Sequence, residues 1–73
     1  MTARLPPVGF EEVARVLHKA GFEQAGQKGS HVKFRRPDGR TVIVPRHREL
    51  ARGTLASVLR QAALSPEEFR RAL

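Results

Sequence analysis

The stretch Gly29-Ser30-His31-Val32-Lys33-Phe34 sets a titratable imidazole beside fixed positive charge. Imidazole moves protons near neutral pH, and ammonium and guanidinium groups hold phosphate oxygens. Val32 and Phe34 are apolar, whereas His31, Lys33 and Arg35 are polar or basic. Strict alternation predicts a half-buried strand, because successive side chains point to opposite faces. His31, Lys33 and Arg35 are then expected in one row on an open sheet face. Such a row could hold and cut a phosphodiester. A neutral imidazole can accept the proton of a ribose 2′-hydroxyl while cations hold the phosphate oxygens as charge develops. The plainer alternative is a histidine on a solvated basic face, with Lys33 and Arg35 serving solubility alone.

Other polar groups are weighed the same way. Residues 45–52 form a basic connector carrying Arg46, His47, Arg48 and Arg52, which could clamp a polyanion, meet an acidic partner or simply be solvated. Gly53 and Thr54 open a helix whose free amides suit phosphate; ordinary capping is the competing explanation. Ser30 could assist at the phosphate, but it forms no triad with His31, since adjacent strand residues point apart. His18 lies at the edge of a helix stripe and stays outside the candidate site. With three scattered His, no Cys and one Asp, no metal-ligand spacing exists, so neither a metal nor a cofactor is expected. The carboxylates cluster at helix starts, which leaves no acid–base pair.

The totals narrow the classes further. Seventy-three residues are expected to make one domain, 1–73, too small for a deep cleft. Net charge is +7, with 14 Lys and Arg against 7 Asp and Glu, so polyanions are attracted. Eleven of the bases are Arg, which favours bidentate grips on phosphate. No apolar run approaches the roughly 18 residues of a membrane span, and the cytoplasm is the expected location. Tyr and Trp are absent and Phe occurs four times, which argues against an aromatic base-stacking platform.

The elements that must position these groups follow from periodicity. After a lead-in over 1–8, Phe10, Val13, Ala14 and Leu17 recur at helical spacing, predicting a helix over 9–20 with Glu11 and Glu12 in its first turn and Gly21 ending it. Strands are expected over 22–28, 31–36 and 41–44, the last two joined by the turn Pro37-Asp38-Gly39. Leu55, Val58, Leu59 and Ala62 mark a second helix from about 53–54. Ser65-Pro66-Glu67-Glu68 opens a short third one through a capping box. The fold class is therefore α+β, in the order α-β-β-β-α-α. Its three-stranded antiparallel sheet carries the helices on one face, the layout of a double-stranded-RNA-binding-like sandwich.

The residues also carry a family pattern. Gly29-Ser30-His31, then the hydrophobic–basic strand, Pro37-Asp38-Gly39, Val44-Pro45-Arg46-His47 and Arg52-Gly53-Thr54-Leu55 resemble the HicA toxins. Lys19-Ala20-Gly21-Phe22 and Leu64-Ser65-Pro66-Glu67-Glu68-Phe69 extend the resemblance over about residues 8–71. It implies a double-stranded-RNA-binding-like fold, a toxin of a toxin–antitoxin pair that cleaves mRNA, and a HicB-type antitoxin covering the active surface. The family's catalytic histidine falls on His31. Many members carry a second histidine next to it, but here that position is Val32, so His31 would act alone. His47 matches the family's Pro-x-His without being assigned catalysis.

Two functions are expected to compete, with the toxin as a free monomer in either case. One is a metal-independent endoribonuclease in which His31 moves the proton and Lys33 and Arg35 hold the phosphate, supported by Ser30, Arg46, Arg48, Arg52 and Thr54. The other is a non-enzymatic RNA-binding module. A helix-turn-helix over 54–73 is disfavoured, because its recognition helix would open on Glu67 and Glu68, which repel phosphate.

Overall fold

The computed structural model describes residues 5–73, so the first part of the lead-in, residues 1–4, lies outside the described residues. The order is α1 Phe10–Lys19, β1 Glu23–Lys28, β2 His31–Arg35, β3 Thr41–Pro45, α2 Arg52–Ala62 and α3 Pro66–Ala72. This is the expected α+β order. The strands form one antiparallel sheet with β2 in the centre.

Helix α1 buries Phe10, Val13, Val16 and Leu17, a single stripe at helical spacing. Its start is held by the Gly9 amide, which donates to Glu12 Oε1 at 2.9 Å and keeps that carboxyl below its ordinary range. Gly21 stops it with φ +94°, a conformation open to glycine. The β2 pattern is realised in full. Val32 and Phe34 are buried, while His31, Lys33 and Arg35 are exposed. In β3, Val42 and Val44 are buried and Ile43 faces out.

Helices and sheet share one core, in which Phe22, Phe69, Leu17, Leu55 and Val58 are fully enclosed with the inward side chains of β2 and β3. No polar or charged side chain among the described residues is buried. Helix α3 is short, yet Ser65 and Glu68 exchange both bonds of the expected capping box. That exchange closes two amides that a seven-residue helix would otherwise leave open.

Three details depart from periodicity. Strand β1 is exposed along its whole length and carries no large apolar side chain. Helix α2 begins at Arg52, with Ala51 as N-cap and no side-chain cap bond, so Thr54 sits inside the first turn and not at its edge. The basic connector is strapped to the entry of α1: Phe10 N donates to His47 O at 2.9 Å, and Leu50 N donates to Val8 O at 2.8 Å.

Candidate functional site

Antiparallel pairing sets the open face out in rows. Lys28, His31 and Pro45 stand opposite one another across the three strands. The next row is Gly26, Lys33 and Ile43; the third is Glu23, Arg35 and Thr41. Directly opposed side chains have Cβ atoms about 4.5–5.5 Å apart. His31 therefore has one lysine beside it across the strand and another about 7 Å along it.

Lys28 takes its place through the Gly29-Ser30 turn. Gly29 has φ +59°, and a two-residue loop makes its flanking residues a direct pair. The Gln27 side chain steadies the turn by donating to Gly29 O at 3.0 Å. On the far side of β2, Arg46 N donates to Ser30 O, continuing the β2–β3 ladder past Pro45. The histidine thus sits at the closed end of a three-stranded platform. Gly26, Gln27, Lys28, His31, Lys33 and Ile43 line a broad concavity of about 630 Å³ around it. Nothing in that lining is acidic, so the arrangement combines a proton-transfer group, two ammonium groups and an apolar floor.

The remaining predicted residues are spread around this centre. Ser30 is exposed in the turn itself. Arg35 lies four residues along β2 from His31, about 13 Å away, and does not line the concavity. It faces Glu23 across the sheet and borders a separate hollow with Arg36 and Pro37. Arg46 falls on the helix side of the sheet, where its guanidinium stacks over Phe10 at 4.5 Å. With His47 and Arg48 it rims a hollow of about 320 Å³ that also includes Glu11 and Glu12. Arg52 borders another hollow, with Pro6, Pro7 and Glu49. Thr54 is half-buried. His18 lies 3.7 Å from Glu23, both exposed, and does not line the concavity.

Lys28, Gln27, Gly26 and Ile43 line the concavity without having been singled out by residue type. Lys28 was accessible to the pattern argument, since a two-residue turn opposes its neighbours. Gly26 was not, because its row depends on a bulge at Ala25 that shifts the β1–β2 register. Among the described residues no cluster of three His, Cys, Asp or Glu could hold a metal ion, and no helix is long and apolar enough to cross a membrane.

Comparison with known proteins returns one family. The model described as HicA toxin of bacterial toxin–antitoxin matches residues 10–64, from the start of α1 through the end of α2. No curated protein matches the chain.

Proposed function

The chain belongs to the HicA toxin family of toxin–antitoxin systems, and from that premise we propose that it is an mRNA endoribonuclease whose proton-transfer residue is His31. The single observation that carries this reading is the open-face concavity, with the exposed His31 ring between Lys28 and Lys33. The reaction is an in-line displacement. The ribose 2′-oxygen attacks phosphorus and the bond to the 5′-oxygen breaks, leaving a 2′,3′-cyclic phosphate and a 5′-hydroxyl end. Lys33 and Lys28 hold the non-bridging oxygens as negative charge builds on them. His31 moves the proton at one of the two oxygens, taken from the 2′-hydroxyl or given to the departing 5′-oxygen. A rate that climbs with pH assigns the first role, and one that falls assigns the second.

Arg35, Arg46, Arg48, Arg52, Ser30 and Thr54 lie outside the concavity, and they serve the longer path of the RNA chain. The residues 1–73 act as one cytoplasmic domain, free as a monomer and silenced by a HicB-type antitoxin that covers the sheet face. No metal takes part, in keeping with a concavity that offers one imidazole and no carboxylate.

His31→Ala tests the assignment. The side chain is exposed on the open face of β2, so the variant keeps its fold. Cleavage of RNA in the presence of EDTA is expected to fall by roughly 10²–10⁴. Wild-type speed from the purified variant refutes the role of His31. RNA that wild-type protein shifts on a gel but leaves intact makes the chain a binding module instead.

A further inference from the structure

Gly26 is a glycine that the fold does not require. Its φ is not positive, and a Cβ built on it would meet nothing within 4 Å. It neither turns the chain nor lets two backbones approach. What it does is leave one flank of the Lys33 row without a side chain, opposite Ile43 on the other flank. Ile43 is itself unusual, 36% exposed in the middle of a strand; among the described residues Leu73, the last of the chain, is the other large exposed hydrophobic. Row by row, then, the open face passes from Lys28, His31 and Pro45 to a row in which Lys33 stands between Gly26, which has no side chain, and apolar Ile43, within one concavity.

We propose that the Gly26–Ile43 floor is a nucleobase subsite, in which the base next to the cut phosphate packs against the Lys33 stem and one of its two flanks while the Lys33 and Lys28 ammonium groups hold the backbone. This rests on the nuclease reading above. A ribonucleotide joins an anionic group to a flat apolar ring, and the concavity offers cations and an apolar floor as neighbours. Its volume, about 630 Å³, lies within the roughly 300–1,000 Å³ of small-ligand sites. The usual stacking partners are missing from this face, because Phe10, Phe22, Phe34 and Phe69 are all buried. The bulge at Ala25 brings Gly26 opposite Lys33, and Gln61 Oε1 accepts from the Ile43 amide at 2.9 Å, so one flank of the floor is held by strand pairing and the other also by a side-chain bond. An acidic protein partner would meet the two lysines but leaves the adjoining apolar floor without a role, so RNA is the occupant these features favour.

The cut in a short RNA is first mapped with the wild-type protein, and the nucleotides on either side are then replaced in turn by an abasic ribose. One of the two replacements is expected to raise KM about tenfold with kcat little changed, the signature of lost uniform binding. Gly26→Leu fills the floor into open space. It should raise KM on the parent RNA about tenfold, and abasic replacement should then add nothing. Ile43→Thr removes platform without crowding and should act in the same direction, so the test survives misfolding of either variant. If both variants fold and cut the parent RNA with the wild-type KM, the subsite is wrong while the nuclease reading stands. If wild-type protein cuts no RNA, both fall. If the variants lose binding to a HicB-type antitoxin but keep their KM, the floor is a protein contact and the proposal is overturned.

Discussion

Replacing Gly9 and Gly26 by alanine makes the same chemical change in opposite surroundings. At Gly9 the backbone is extended, with φ −115°, so alanine meets no conformational objection. The objection is contact. A Cβ there would fall on the Arg48 carbonyl oxygen, with the carbonyl carbon at 2.6 Å. Both are main-chain atoms of the strap that ties the basic connector to α1, so the strap must move bodily. Overpacking of this kind costs about 1–3 kcal/mol. Breaking the hydrogen bonds from Phe10 N to His47 O and from Leu50 N to Val8 O adds about 1 kcal/mol each. The expected loss is therefore roughly 3–5 kcal/mol, against a total stability of about 4–11 kcal/mol for a chain of this length. With a urea m-value near 1 kcal/mol/M, the midpoint falls by roughly 3 M or more. At Gly26 alanine enters free space, and reduced freedom of the unfolded chain leaves stability equal or up to about 1 kcal/mol higher. Urea unfolding of the two variants beside wild type decides the matter. Equal midpoints for Gly9→Ala and wild type refute the strap.

Further outcomes follow from charge and packing. Lys28→Ala should weaken RNA binding similarly across sequences and make the slope of log K against log salt shallower by about 0.7, one phosphate on a single strand; an unchanged slope removes Lys28 from the site. Asp38 accepts from the Arg36 guanidinium at 2.8 Å and from the Arg40 amide at 3.1 Å, which hold its pKa at about 2, below the ordinary 3.8. Because the folded value is depressed, this contribution to stability is full above the unfolded value and is lost as pH falls through about 2. Thermal melts of Asp38→Asn and wild type should accordingly differ near neutrality and converge toward pH 2; a gap that persists there contradicts the pairing. Phe69 is fully enclosed, and Phe69→Ala should cost about 3–5 kcal/mol in chemical denaturation, which would show that the short α3 is integral to the core.

Much of this arrangement is legible in residue order because it depends on local periodicity. The alternation Val32–Phe34 against His31–Lys33–Arg35 gave both the strand and its open face, and Ser65 with Glu68 announced the start of α3. Contacts between distant residues left no such trace. The turn of Arg46 toward Phe10 depends on where α1 crosses the sheet. The exclusion of Arg35 from the concavity follows from counting two rows along β2, which the shared face alone does not express. Gly26 reaches its row through an irregularity at Ala25 that no alternation rule foresees. The start of α2 at Arg52 reflects the path of the strapped connector, with unremarkable Ala51 as its cap.

The bond from the Ile43 amide to Gln61 has a consequence for the margins of the sheet. On the outer border of β3, amides alternate with those that bind β2, so the outward positions include Ile43 and Pro45. One is already occupied by Gln61 and the other has no hydrogen to offer. Lateral growth of the sheet is thus discouraged along β3. The opposite border, β1, is bare, but its irregular spacing at Ala25 interrupts any long run of matched pairing. A protein with such borders can leave a sheet face open to solvent without inviting its own copies to stack strand upon strand.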